Sequence, residues 1–432
     1  EAVLAAGVLG AIACCSNWRQ SDAELAHCFR LTQPMLTLTS ARHHERLRAL
    51  NWPESRTLVF GEAYEKALNG ASRGDVASAA EAEDGLIIMY TSGTTGHPKA
   101  AVISHRAEIA RAATGIADGQ LYPGRGGICW SPFYHIAGMD HALGLLMQGD
   151  PVFVVDGFQP GVLVEIMAQE SLGTVSLMPS AIGRVIEELR RTGLRPRSLM
   201  ACGSMADLVP RQLIAEVSGL LGAEFRNSFG ATETGQAPAS RHRFPAGVLP
   251  ATLSKRQSSY CVLRLVDEND QDVPDGVPGE VLVRSPALFS GYWSDPQATR
   301  EAFRDGWYHM GDMMVRNADG SLDFVDRRKY LIKSGGENIY PAEIERVLLA
   351  DARVKDAAVI RKKDAHWGEI PVVFVVPAAP ITPEAIVALC RRQLAGYKIP
   401  KEVYFIGDEE MPRSETAKVK RFELEKRLEI TR

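Results

Sequence analysis

Residues 86–99 read Leu-Ile-Ile-Met-Tyr-Thr-Ser-Gly-Thr-Thr-Gly-His-Pro-Lys. The first five are a short apolar run bounded by turn residues, which predicts a buried strand. It leads directly into Thr91, Ser92, Gly93, Thr94, Thr95, Gly96, His97, Pro98 and Lys99. Glycines let successive backbone N–H groups turn inward as an anion-cradling nest, and the hydroxyls and the ammonium add donors. That donor set suits a polyphosphate. It is not a Walker P-loop, GxxxxGK[ST], because Lys99 lies three residues beyond Gly96. A polar surface loop uses similar residues, so this stretch alone licenses nothing beyond nucleotide binding.

Working outward, residues 151–155, 174–178 and 280–283 are also short, apolar and rich in β-formers. Between such runs lie helical patterns at 104–116, with Ser104 as N-cap, and at 161–169. Strand–helix alternation predicts an α/β fold with parallel sheets covered by helices. From about Leu263 the texture changes. Runs at 263–266, 280–284 and 322–326, with a turn at 267–272, predict a small antiparallel region. Beyond Lys329 a helix at 341–349, strands at 356–362 and 372–376 and a helix at 382–395 predict a separate α+β unit.

A chain of 432 residues is long enough for two or three domains. Its 45% hydrophobic and 24% charged residues exclude disordered and fibrous classes. With a formal charge of −4 and no basic patch, a duplex nucleic-acid partner is not expected. The seven cysteines include no CxxC pair, which fits a reduced, cytoplasmic protein. Residues 2–15 are nearly all apolar, yet shorter than the ~18–20 residues that cross a bilayer. They follow Glu1 rather than a basic segment, so neither a transmembrane span nor a signal peptide is expected. They read as a buried helix followed by a strand. The chain opens without Met and already inside a domain, so an incomplete N-terminus is expected.

Further motifs follow in order. They are Ser131-Pro132-Phe133-Tyr134-His135-Ile136-Ala137-Gly138, Cys202-Gly203-Ser204-Met205 and Phe229-Gly230-Ala231-Thr232-Glu233. Then come Gly306-Trp307-Tyr308-His309-Met310-Gly311-Asp312, Asp326-Arg327-Arg328-Lys329 and Ser334-Gly335-Gly336-Glu337-Asn338-Ile339-Tyr340-Pro341. Pro412-Arg413-Ser414-Glu415-Thr416-Ala417-Lys418 closes the series. Together with the loop at 90–99, this series resembles the adenylate-forming superfamily. Its members are acyl- and aryl-CoA synthetases, peptide-synthetase adenylation domains and firefly-type luciferases.

The resemblance implies a role for each motif. The loop from Thr91 to Gly96, with Lys99, would grip phosphates. Gly203, Ser204 and Met205 would lie between adenine and substrate, and Phe229, Gly230 and Ala231 would form the adenine side, the Phe229 ring stacking on the base. Thr232 would bond the α-phosphate, Glu233 would ligate Mg2+, Asp312 would accept both ribose hydroxyls, and Arg327 would contact ribose or phosphate. Lys329 would be the hinge, and Ser334, Gly335 and Gly336 would face CoA, glycine admitting the narrow pantetheine arm. Lys418 would be the catalytic lysine, its mobile ammonium offsetting charge as a carboxylate attacks phosphorus. Among 49 basic residues only the motif and its place in the order single it out. His135 would orient the carboxylate, and Trp130, Phe133, Tyr134, Met178 and Met205 would wall an apolar acyl pocket.

Some positions depart from the family pattern. Met310 stands where Thr is usual, Ala417 where Gly is usual, and Tyr330 where Asp or Glu is usual. Residues 251–259, Ala-Thr-Leu-Ser-Lys-Arg-Gln-Ser-Ser, replace a glycine-rich segment and put the usual contacts there in question.

The implied architecture is a large N-terminal domain over 1–327, a hinge at 328–329 and a small mobile lid over 330–432. The implied activity is an acid–CoA ligase for a fatty or aryl acid, using ATP, Mg2+ and CoA through an acyl-adenylate; a homodimer is one candidate assembly, and the sequence leaves the oligomeric state open. A ligase loading a carrier protein and an inactive ATP-binding homologue remain as alternatives. No Asp appears near Phe133-Tyr134 to anchor a substrate amine, which disfavours an amino acid as substrate.

Overall fold

The strand expected at residues 86–90 forms as Gly85–Thr91 in the computed structural model, which describes residues 1–72, 74–91, 98–207, 209–413 and 419–430. Ile87, Ile88 and Met89 are fully buried, as the apolar run requires. Its sheet runs in the order Ala13–Cys15, Gly85–Thr91, Lys99–Ser104, Gly291–Tyr292. The first pair is parallel and the other two are antiparallel, so this sheet is mixed rather than parallel throughout. The cause is local: the loop after Thr91 is short enough to return as an antiparallel neighbour, with Thr91 opposite Lys99.

The second sheet meets the parallel expectation. Strands Ser171–Ser176, Ser198–Ser204 and Glu224–Asn227 run parallel, and Arg243–Phe244 adds an antiparallel edge. Helices Pro160–Gln169, Ile182–Thr192 and Arg211–Leu221 connect and cover it. On the middle helix Ile182, Val185, Ile186 and Leu189 are buried at the i, i+3, i+4, i+7 spacing of one face, and they enter the largest apolar cluster. A short parallel pair, Gly127–Cys129 with Val152–Val154, continues beside it.

Helix His105–Ala117 starts where its cap residue predicts, the Ser104 hydroxyl accepting from the Ala107 N–H at 3.2 Å. Helix Ala2–Val8 and strand Ala13–Cys15 also form, but the helix is not buried: within it only Gly7 is. Seven residues make two turns, which cannot hide every side of an all-apolar sequence, and Leu4 is left half exposed. All seven cysteine thiols are free. Among the described residues no helix is long and apolar enough to cross a membrane.

The antiparallel region is a five-stranded sheet of Val262–Val266, Gly279–Arg284, Trp307–Arg316, Phe303–Arg304 and Leu322–Arg327. It ends at Arg327. A single turn, Arg328–Tyr330, separates it from a sheet built on the long hairpin Val354–Asp364 with Gly368–Pro377. Helix Pro341–Leu349 has the expected bounds, and Thr382 caps helix Pro383–Arg391.

An ion pair ties the end of the chain into this last unit. Arg421 opens helix Arg421–Ile430 and donates to both Glu345 oxygens at 2.6 and 2.7 Å and to the Val359 carbonyl at 3.1 Å. Glu345, 1% exposed, also accepts from the Val359 N–H at 2.7 Å. Removing one partner of such a pair strands a buried charge. Arg421→Met is therefore expected to lower stability by about 3 kcal/mol. A fall in the urea midpoint of unfolding checks this, and an unmoved midpoint would refute it.

Candidate active site

The two strands flanking the phosphate-type loop are pinned side by side by the Thr91–Lys99 pairing. Ser92, Gly93, Thr94, Thr95 and Gly96 lie outside the described residues, as does His97. At the loop's exit the Lys99 ammonium sits 4.9 Å from the centroid of the Tyr292 ring. The Tyr292 hydroxyl donates to Glu233 Oε1 at 2.9 Å. Burial, then the adjacent Glu233 carboxylate, push the Tyr292 phenol well above its ordinary range, so it stays a donor. Cation, phenol and carboxylate thus form one short array.

Glu233 sits in a tight turn. The Ala231 N–H donates to Thr234 Oγ1 at 2.9 Å, and that hydroxyl donates to the Ala237 carbonyl at 2.7 Å. The Phe289 N–H donates to the Glu233 carbonyl at 2.9 Å. Gly230 closes the turn, since a Cβ there would run into the Gly235 carbonyl oxygen. The half-buried Thr232 lies in the same turn.

Asp312, 2% exposed, lies on strand Trp307–Arg316 opposite Arg327, whose Nε is 2.8 Å from its Oδ1. This carboxylate is the largest influence raising Arg327 above its usual range. Tyr308, buried between these groups, has its phenol pushed up first by burial and then by Glu233, Tyr292 and Asp312. Glu233 and Asp312 thus both act on the Tyr308 phenol. Met310, the departure from Thr, is 7% exposed and fills the apolar cluster below them.

Gly203 and Ser204 end strand Ser198–Ser204, where the Ser204 carbonyl accepts from the Ser228 N–H at 2.9 Å. The buried Ser204 hydroxyl has no hydrogen-bond partner among the described residues. Met205 is 42% exposed beside it. The Phe229 ring, expected to stack on adenine, is instead turned into the core. It is 3% exposed and lies 5.4 Å from the Phe324 ring, with the Lys255 ammonium 5.8 Å from its own centroid.

The acyl-pocket residues divide. Trp130 is buried, donating from Nε1 to the Ser176 carbonyl at 2.7 Å, and Met178 packs against the same core. Phe133 is 39% exposed and Tyr134 half-buried. His135 caps helix Ile136–Gln148, its Nδ1 accepting from the Ala137 N–H at 3.3 Å. Beyond the Arg328–Tyr330 turn Ser334 is buried, the Gly335 N–H donates to the Trp367 carbonyl at 2.8 Å, and a Cβ on Gly336 would meet only open space. The Lys329 ammonium lies 4.9 Å from the Tyr330 ring centroid. Lys418 and Ala417 lie outside the described residues.

Sequence reasoning missed Tyr292, Tyr308 and Arg111, whose guanidinium donates to the Thr232 carbonyl at 2.9 Å. Tyr308 was visible inside a quoted motif. Tyr292 and Arg111 offered only a Gly-Tyr pair and a basic residue on a helix.

A family model described as AMP-binding enzyme matches residues 1–293, and one described as AMP-binding enzyme C-terminal domain matches 343–418. An indoleacetate–CoA ligase of Aromatoleum aromaticum is 34% identical over 340 residues, covering 78% of this chain. The chain spans 66% of that relative's length. A feruloyl-CoA synthase of an Amycolatopsis species is 31% identical over 99% of this chain and 86% of its own length. The fold is shared with o-succinylbenzoate coenzyme A synthetase from Bacillus subtilis, solved with ATP and magnesium ion. Its TM-score is 0.86 at 24% identity, over 98% of this chain and 86% of that one.

Gly230→Ala is expected to force the 229–235 turn open and to weaken nucleotide binding about a hundredfold, roughly the 3 kcal/mol of a severe backbone clash. Equilibrium titration with Mg·ATP measures this, and affinity within threefold of the parent would show that the turn tolerates a side chain.

Proposed function

The chain belongs to the family of AMP-binding enzymes, and from that premise we propose that it is an ATP-dependent, AMP-forming acid–CoA ligase acting on an aromatic carboxylic acid. The observation that carries this reading is the Lys99–Tyr292–Glu233 array set beside the Asp312–Arg327 pair. A ligand with a polyphosphate at one end and a vicinal diol at the other fits such an arrangement of ammonium, carboxylates and guanidinium.

In the first half-reaction a carboxylate oxygen of the acid attacks the α-phosphorus of ATP. The bond to pyrophosphate breaks and acyl-AMP forms. Residues 91–96 and Lys99 hold the outgoing phosphates, Thr232 holds the α-phosphate, and Asp312 takes the ribose hydroxyls. Glu233, its carboxylate oriented by the Tyr292 hydroxyl, would hold Mg2+, a cation that favours oxygen ligands. The cation would supply positive charge to offset the phosphate oxygens. Lys418 supplies the second offset, at the attacked phosphorus.

In the second half-reaction the CoA sulfur attacks the acyl carbon, the bond to AMP breaks, and the thiol proton passes to water. The proposed division is a large domain over 1–327, a hinge at 328–329 and a lid over 330–432. Its support is the change of sheet on either side of the Arg328–Tyr330 turn. The open space at Gly336 suits the pantetheine arm once the lid turns. An aromatic acid is favoured over a fatty one because the relatives at 34% and 31% identity are named for indoleacetate and ferulate, both aryl acids. The exposed Phe133 and Met205 offer surface on which a ring can pack.

Lys418→Ala is expected to abolish acid-dependent pyrophosphate exchange, a loss of a thousandfold or more on the order seen for electrostatic catalytic groups. Thioester formation from supplied acyl-AMP and CoA should persist, and equal loss of both steps would sink the assignment. AMP release across a panel of aryl and fatty acids, with and without CoA, tests the substrate class and the acceptor. Turnover only with fatty acids, or AMP release indifferent to CoA, would overturn the corresponding part.

A further inference from the structure

Beneath the turn that carries Thr232 and Glu233 lies a buried charged cluster that the proposed chemistry does not itself use. Arg111, on helix His105–Ala117, is 6% exposed. Its Nε donates to the Ala287 carbonyl at 3.0 Å, and one terminal nitrogen donates to the Thr232 carbonyl at 2.9 Å. The other faces both oxygens of Asp140 at 3.3 and 3.4 Å. The Phe289 N–H returns a bond to the Glu233 carbonyl at 2.9 Å, so segments 287–289 and 232–233 are tied together through Arg111 and through the main chain. The turn is closed down onto this side chain, since a Cβ on Gly235 would meet the Arg111 stem at 3.0 Å.

Glu108, one helical turn before Arg111 and 1% exposed, lies close enough to Asp140 for their charges to interact. Burial and the charge of Asp140 push the Glu108 carboxyl well up, and burial also raises Asp140, with Arg111 opposing both shifts. A buried guanidinium is tolerated when a carboxylate and carbonyl oxygens accept from it, as Asp140, Thr232 and Ala287 do here. The planar fork spans three directions at fixed angles, and a lysine ammonium cannot reproduce that geometry.

We propose that Arg111, braced by Asp140 and Glu108, is the positioning residue of the nucleotide site, setting where the Thr232 and Glu233 side chains stand relative to the triphosphate and its cation. This rests on the reading that Thr232 and Glu233 grip Mg·ATP. A residue that merely supports the fold would change stability and the fraction of active protein. A positioning residue changes affinity for the nucleotide and its cation in protein that is folded.

The test measures the Kd of Mg·ATP by calorimetry, and the half-saturating Mg2+ concentration for acid-dependent pyrophosphate exchange, in the full chain and in Arg111→Met and Arg111→Lys. Arg111→Met is expected to weaken Mg·ATP about tenfold or more and to raise the Mg2+ requirement comparably, the scale of losing a charge-assisted hydrogen bond. Arg111→Lys keeps the charge but reaches one carbonyl, so its loss falls between Met and the parent. Folded Arg111→Met protein with both quantities within twofold of the parent overturns the proposal. Should that variant fail to fold, Arg111→Lys decides: a shift of about threefold supports the proposal and parental values overturn it. A parent chain that itself shows neither Mg·ATP binding nor exchange would refute the ligase reading instead, before any variant is compared.

Discussion

Strand Gly291–Tyr292 pairs with Lys99–Ser104 so that Tyr292 stands opposite Ala101, and the site is built on this register. Residues opposite one another in an antiparallel pair share a face, and so do residues two apart on one strand. Lys99, Ala101 and Tyr292 therefore point the same way, which is why the Lys99 ammonium meets the Tyr292 ring and the Tyr292 hydroxyl reaches Glu233. The Ser290 N–H to Val102 and Trp293 N–H to Ala100 bonds, each 2.8 Å, hold the short strand in place. A slip of one residue would turn Tyr292 to the opposite face and break the array. Lys99 and Glu233 lie far apart in the chain, and this short strand joins them.

A second constraint lies in three consecutive residues. Asp326 accepts from the Ala342 N–H at 2.7 Å, at the start of helix Pro341–Leu349. Arg327 holds Asp312, and Arg328 pairs with Glu280. These three residues thus hold Asp312, the antiparallel sheet and the first helix of the next unit. The Asp326–Ala342 bond links this sheet to the next unit, and the Arg327–Asp312 pair does not depend on it. A carboxylate at a helix N-terminus is a favourable contact of modest strength.

What could be read from the sequence follows from how local each signal is. The strand at 86–90, the Ser104 cap and helix Pro341–Leu349 rest on patterns within a few residues, and they form as expected. Asp312 and Arg327 pair across the sheet, and Glu233 meets Tyr292. The mixed sheet was not legible, because strand direction depends on how the chain returns and not on the strand's own composition. Tyr292 and Arg111 were not legible either. Their roles come from partners 59 and 121 residues away, and nothing local marks them. Phe229 shows the converse: the motif was correctly found, but which way its ring turns is decided by Phe324 and Lys255, both distant in sequence.

Lys255 explains how the chain accommodates its clearest departure, at residues 251–259. It is fully buried and forms an ion pair with Asp207, just beyond the end of strand Ser198–Ser204. Its backbone bridges to Leu322, the N–H donating to the Leu322 carbonyl at 2.8 Å and its own carbonyl accepting from the Leu322 N–H at 3.0 Å. Asn227 reaches the same region, donating to the Leu253 carbonyl at 2.8 Å and accepting from the Ala206 N–H at 2.9 Å. A glycine-rich segment lets backbones approach; here a long side chain crosses the gap instead and links the parallel sheet to the antiparallel one. Burial lowers the ammonium's pKa and Asp207 opposes that loss, so the pair adds little net stability. Its effect is positional. It holds the end of strand Ser198–Ser204, and with it Ser204 and Met205, against the sheet that carries Asp312. The departure therefore alters how Ser204 and Met205 are held in place, while Glu233, Asp312 and Arg327 keep the contacts described above.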